Sequence, residues 1–225
     1  MADGRKIFPA FRLIVLAALA GLAAGAVAVY VSAPPSGNPP AAAAGTVDAA
    51  AVAACAAKSE RAKAVGAAAT GEVAAMLPAD PPQSLADLAF SGPDGSQTSI
   101  GEFAGKTVLL NLWATWCAPC RAEMPALDRL QKERGGEGFE VVAVNVDAGD
   151  DTKPKRFLEE TGVGSLASYR DNTLGIFNEL KKRGLALGLP VTLLIDAEGC
   201  LLANMNGPAE WASDDARALL DAAGS

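Results

Sequence analysis

Thr107-Val108-Leu109-Leu110-Asn111-Leu112-Trp113-Ala114-Thr115-Trp116-Cys117-Ala118-Pro119-Cys120 is a nearly continuous apolar run that ends on two cysteines separated by two residues. Thr107 to Ala114 reads as a strand buried on both faces, as in the middle of a sheet covered on each side. Beyond the cysteines, Leu127 and Leu130 continue the apolar face of a helix to about Lys132, and Gly135-Gly136 closes it. A Cys-x-x-Cys that follows a buried strand and opens a helix reads as a redox pair. Cys117 falls at the helix N-terminus, where unpaired N–H groups and the macrodipole stabilise a thiolate. Cys120 lies one turn along, within disulfide reach and less exposed. Pro119 is tolerated in the first turn because its missing N–H has no partner there. Cys117 is therefore the expected attacking thiol and Cys120 the resolving one. The competing readings are half of a zinc site or a permanent disulfide. A four-thiolate zinc site would need a second close pair, and the remaining cysteines, Cys55 and Cys200, are far apart in sequence.

The same alternation of strand and helix extends outward from this core. Leu88-Ala89-Phe90 reads as a short strand and Gly92-Pro93-Asp94-Gly95 as a turn. Phe139 to Val146 is a second buried strand. Lys155 to Glu160 reads as a helix with Pro154 in its first turn, and Leu174 to Lys182 as another, ending in Lys-Lys-Arg and Gly184. Pro190 opens a third apolar strand, Val191 to Ile195. The turn Asp196-Ala197-Glu198-Gly199 then leads to an antiparallel partner, Cys200 to Asn204, and Asp214 to Ala222 forms a last amphipathic helix. A helical crossover between the first two strands makes them parallel, and the last two form a hairpin. The expected fold is therefore α/β, a mixed central sheet flanked by helices.

Composition narrows the chemistry. The chain has no histidine, which removes the commonest general base near neutral pH and the commonest metal ligand. A Ser-His-Asp or Cys-His mechanism is excluded. The net charge of −7 and the lack of any basic run argue against nucleic acid as a partner. No cofactor or metal is implied.

The N-terminal third carries a different signal. Arg5, Lys6 and Arg12 precede an uncharged apolar stretch from Leu13 to Val31, and no Lys or Arg follows until Lys58. As a helix, residues 13–31 would span about 28 Å, close to the hydrocarbon core of a bilayer. The charge bias places residues 1–12 in the cytoplasm and the rest outside. A cleaved signal peptide ending at Val31-Ser32-Ala33 is the competing reading; against it, the apolar run exceeds the roughly 7–15 residues of a signal h-region, and Pro34 would follow the cut. A buried core helix would leave the flanking charges unexplained. Residues 32–47 form a Pro-, Ala- and Gly-rich spacer, residues 48–76 an alanine-rich helical extension, and residues 82–225 the α/β domain, with Pro78, Pro81 and Pro82 marking the boundary. The expected location is a single pass through a bacterial inner membrane, with the α/β domain in the periplasm.

Asn111 to Pro125, Asn-Leu-Trp-Ala-Thr-Trp-Cys-Ala-Pro-Cys-Arg-Ala-Glu-Met-Pro, together with the later Leu189-Pro190-Val191-Thr192, resembles the active-site segments of the TlpA/ResA group of membrane-anchored extracytoplasmic thioredoxin-like proteins. The likeness runs in motif order from about Leu85 to the C-terminus and implies a thioredoxin fold. It implies that Cys117 and Cys120 are the redox pair, that Trp116 flanks the nucleophile, and that Pro190 is a cis-proline facing the pair where substrate backbone is received. It also implies that Glu123 is a carboxylate kept near the pair to help move protons. Plain readings stand beside these: Trp116 as a partly buried packing residue, Pro190 as a strand-opening proline, Glu123 as a solvated helix-surface glutamate. Where cytoplasmic thioredoxins carry a buried Asp, this chain has Asn111, which cannot accept a proton. In this group a structural disulfide can tie an N-terminal helix to the thioredoxin domain, and Cys55 and Cys200 fit that arrangement. The implied activity is reduction of disulfides in exported proteins, with copper-site assembly proteins or apocytochrome c as partners and a transmembrane thiol reductant as donor. Two other functions are disfavoured by residues. A Sco-type copper chaperone pairs Cys-x-x-x-Cys-Pro with a distal His, and a peroxiredoxin-type peroxidase needs Pro at 110 and Thr at 114, where this chain has Leu110 and Ala114.

Overall fold

The computed structural model describes residues 49–224. The apolar stretch 13–31 and the spacer 32–47 lie outside the described residues; among those described, no helix is long and apolar enough to cross a membrane.

The centre is an eight-stranded sheet in the order β1-β8-β7-β4-β5-β6-β2-β3. Its strands are β1 (Leu77–Pro78), β2 (Ala89–Ser91), β3 (Gln97–Ser99), β4 (Thr107–Trp113), β5 (Phe139–Asn145), β6 (Tyr169–Arg170), β7 (Val191–Ile195) and β8 (Leu201–Asn206). Every residue of β4 and of β7 is buried, so both faces of the sheet centre are covered, as their uninterrupted apolar runs predict. β4 pairs parallel with β5 and antiparallel with β7, which makes the sheet mixed. The helices are α1 (Ala49–Ala56), α2 (Ser59–Ala68), α3 (Ala118–Arg134), α4 (Thr152–Thr161), α5 (Gly175–Lys182) and α6 (Asp214–Ala223). Lys132 and Arg134 in the last turn of α3 complement its dipole. At α6 the Ser213 hydroxyl accepts from Ala216 N at 3.1 Å, and Asp214 and Asp215 occupy the first turn. Leu174, expected as the first residue of α5, adopts a left-handed φ of 61°, so the helix begins one residue later.

The alanine-rich extension departs most from expectation. It is two helices, broken by the turn at Ala57-Lys58, followed by a 3₁₀ turn at Gly71–Val73. It is also part of the same compact unit as the α/β domain rather than a separate module. The boundary expected at Pro78 falls inside the sheet, because β1 pairs with β8, Leu77 opposite Asn204 and Pro78 opposite Ala203. Gly66 on α2 lets Pro78 approach: a Cβ there would lie 2.8 Å from the proline Cγ. Cys55 and Cys200 form a disulfide, and both are buried. Cys200 sits in the β7–β8 turn just ahead of β8, not within the strand as expected, and bridges Ser84. The neighbouring Asp196 carboxylate is buried. It is met by Lys58 Nζ at 2.6 Å and Arg61 at 3.6 Å from the extension, and by the Glu198 and Cys200 amides at 3.0 Å each. A buried charge needs such pairing, so the extension completes the turn that holds its own disulfide.

Candidate active site

β4 ends at Trp113, and a short turn, with Cys117 N donating to Ala114 O, delivers Cys117 to the start of α3. Cys117 is the N-cap of that helix: its backbone is extended, and its sulfur accepts from Cys120 N at 3.3 Å. The two cysteines are joined as a disulfide. Their burial is unequal, 6% exposure for Cys117 against 0% for Cys120. Pro119 stands in the first turn and is exposed. Trp116 is 69% exposed, so it is a surface residue and not the partly buried packing residue that was the plain alternative. Leu189-Pro190 is a cis peptide, and Pro190 is buried. Because Val191 pairs with Leu112, Pro190 enters the sheet at the end where β4 hands over to the cysteines.

Glu123 is not a solvated surface residue. It follows Cys120 by one helical turn and is 3% exposed. Three donors converge on its carboxylate: Asn111 Nδ2 at 2.8 Å to Oε1, and Trp211 Nε1 at 3.0 Å and Ala209 N at 3.2 Å to Oε2. Burial pushes its pKa up to about 7, while the three hydrogen bonds oppose that rise. Asn111, in the position of the thioredoxin aspartate, therefore supports a carboxylate supplied from the facing helix. Sequence reading missed Trp211 and Thr192 as members of this cluster, and also Asp147. Asp147, buried at the end of β5, accepts from Thr115 N at 3.1 and 3.2 Å and so fixes the turn before Cys117. The only sequence signal for Asp147 is a polar residue closing a buried strand beside the motif.

The Glu123 value carries a consequence for stability. A carboxyl whose pKa rises from 4.5 to about 7 on folding binds its proton more tightly in the folded state. The folded state therefore loses stability as pH climbs from about 4.5 through about 7, on the order of 3 kcal/mol in total. In urea titrations of the oxidised protein, the wild type should lose stability relative to Glu123→Gln across that window. A constant difference between the two would show that Glu123 does not titrate there.

A cysteine pair of unequal burial at a helix start, on a sheet with a cis-proline beside it, can open to a dithiol and close again by exchange with another disulfide. Fold and site define the class, a thioredoxin-like thiol–disulfide oxidoreductase. Comparison with known proteins places it more closely. The Redoxin family model matches residues 80–220, and the chain belongs to the Redoxin family. It is 35% identical over 124 residues to the thioredoxin-like protein YneN of Bacillus subtilis (strain 168), covering 53% of this chain and 67% of that protein. It is 36% identical over 106 residues to the thiol-disulfide oxidoreductase ResA of Oceanobacillus iheyensis, covering 47% of this chain and 52% of that one. The match thus spans between half and two thirds of these relatives' own length. A solved thiol:disulfide interchange protein of the thioredoxin family from Chlorobium tepidum TLS superposes with a TM-score of 0.53 at 27% identity, over 64% of this chain and 97% of that one.

Proposed function

We propose that this chain is a membrane-anchored, TlpA-type reductant of disulfides in exported proteins. Residues 13–31 act as the inner-membrane anchor and the thioredoxin-like domain works in the periplasm. The observation that carries the redox assignment is the placing of the Cys117–Cys120 disulfide at the head of α3, with Cys117 as the helix N-cap and Cys120 fully buried one turn along. The Cys117 thiolate attacks one sulfur of a substrate disulfide, and a mixed disulfide forms as the first substrate sulfur leaves with its electron pair and takes up a proton. Cys120 gives its proton to the Glu123 carboxylate and attacks Cys117 Sγ, releasing the second substrate thiolate, which is protonated in turn. One disulfide has been reduced and the pair 117–120 oxidised, two electrons and two protons having moved. Trp116 and Pro190 border the place where the substrate backbone lies. Regeneration requires a dithiol donor, which on the far side of the membrane means a transmembrane thiol carrier. Location outside the cytoplasm is supported by the second, buried disulfide, since such bonds persist in oxidising compartments. Copper-site assembly proteins and apocytochrome c are the substrates this reading favours.

The direction of flow is testable. Strong oxidants of this fold owe their potential to a thiolate stabilised beyond the helix terminus, and the dipeptide Ala118-Pro119 offers no imidazole for that purpose. Equilibration against dithiothreitol and glutathione buffers should give a potential near the thioredoxin value of about −270 mV. A value above about −180 mV, where isomerases lie, would make the protein an isomerase or oxidant and overturn the proposal.

A further inference from the structure

The hydrogen bonds behind Glu123 do not close. Asn111 is fully buried at the middle of β4. Its amide nitrogen donates twice, to Glu123 Oε1 at 2.8 Å and to Thr192 Oγ1 at 2.9 Å, which uses both of its hydrogens. Its carbonyl oxygen, Oδ1, is buried with no hydrogen-bond partner. A buried acceptor left unmade is costly, and folded proteins rarely tolerate one without a reason.

The reason lies in what Asn111 faces. A carboxylate only accepts, whereas a protonated carboxyl also has a proton to give. With Glu123 ionised, the orientation seen here is complementary: Nδ2 donates to Oε1. With a proton on Oε1, the same orientation sets N–H against O–H. A half-turn of the amide removes the conflict, because Oδ1 then accepts from Glu123. Thr192, two residues after Pro190 and fully buried, is the partner that permits this. Its hydroxyl accepts from Nδ2 in one orientation and donates to Oδ1 in the other, since a hydroxyl does both. Each orientation leaves one amide atom without a partner, so neither is heavily favoured by its own bonds. We propose that Asn111 and Thr192 form a two-position hydrogen-bond switch that follows the protonation of Glu123, the amide turning over when the carboxyl gains its proton. Both are positioning residues. They let one buried carboxyl hold or release a proton beside the cysteine pair without stranding a donor against a donor.

The surroundings leave this pair as the responsive element. From β4 Glu123 meets Asn111, and from the segment after β8 it meets the Ala209 amide and the Trp211 indole, both donors only. From β7, Thr192 reaches it through Asn111. On its own helix the titratable groups are Cys117 and Cys120, here oxidised. Glu210, between Ala209 and Trp211, is turned onto Arg129 at 2.9 Å. The upward shift of Glu123 arises from burial and is opposed by its three donors, with no charged neighbour among its causes.

The inference rests on the proton-carrying role proposed for Glu123, and its test separates the two. The full-length chain, oxidised and held in detergent micelles, is labelled with ¹⁵N at asparagine side chains and ¹³C at glutamate carboxyls. As pH rises through the Glu123 midpoint, the Asn111 amide protons should move downfield with the same midpoint, as they become donors to the carboxylate. Thr192→Val strands one N–H in the ionised state only, so the midpoint should rise by about half a pH unit or more. Thr192→Ser, which keeps the hydroxyl, should restore it. Asn111 amide shifts that stay constant across the Glu123 midpoint, a midpoint unmoved by Thr192→Val, or no midpoint between about pH 5 and 9 would each overturn the switch. In the reduced protein, the rate at which Cys120 resolves a mixed disulfide on Cys117, compared between wild type and Glu123→Gln, tells whether the proton-carrying role stands regardless.

Discussion

Cys117→Ser should reduce turnover of a disulfide substrate such as insulin by at least ~10³, to the uncatalysed background, since a serine hydroxyl does not ionise near neutral pH and removal of a covalent nucleophile acts on that scale. The fold should survive, because the side chain changes by one atom at the helix N-cap and a serine hydroxyl is itself a favoured cap for the Cys120 amide. Cys120→Ser should also abolish turnover, but with a different signature. Cys117 still attacks, nothing resolves the adduct, and mixed disulfides accumulate that survive non-reducing electrophoresis and release their partners on reduction. In cells that make this variant, the captured proteins name the substrates. The order of alkylation in the reduced wild type checks the assignment of roles: Cys117 should react first. If Cys120 reacted first, attacking and resolving thiols would be exchanged.

The second large effect lies at the other disulfide. Cys55 and Cys200 close a loop across a sequence separation of 145. The chain-entropy model assigns such a loop about 5 kcal/mol. The double variant Cys55→Ala, Cys200→Ala should therefore melt about 10 °C or more below the oxidised wild type, using ~2–4 °C per kcal/mol for a protein of this size. The ion pairs from Lys58 and Arg61 to Asp196 and the packing of Gly66 on Pro78 remain to hold α2 in place. Substrate turnover per folded molecule should be unchanged, because the active pair is built from β4, α3 and β7. A melting temperature within ~2 °C of the wild type would show that the extension is held by packing alone.

How far the sequence could be read follows from what each residue depends on. β4, β5 and β7 were legible because burial on both faces demands an unbroken apolar run, and their expected limits agree with the structure to within a residue. β1, β3 and β6, of two or three residues, carry no periodicity and exist only because a longer strand lies beside them. The cysteine pair was legible because its chemistry depends on local order, strand then turn then helix. The surroundings of Glu123 were not. Nothing within a turn of that residue says whether it faces water, and its burial is decided by Asn111 and by Trp211, 88 positions later. For the same reason the boundary drawn at the prolines failed: the pairing of Leu77 with Asn204 is a fact about two distant segments.

The two borders of the sheet have a consequence for how the molecule behaves in a crowd. An open margin of unpaired amides invites a neighbouring chain to add itself, the first step of fibre growth. Here the margin beside β8 is taken by β1, only two residues long, the second of which, Pro78, has no N–H to offer. The opposite margin is β3, three polar residues, Gln97-Thr98-Ser99. Neither stub offers a long hydrophobic template on which another strand could grow. Among the described residues, the sheet margins of this thiol–disulfide oxidoreductase thus offer other chains little to hold, and leave that contact to a pair of sulfurs whose hold is reversible.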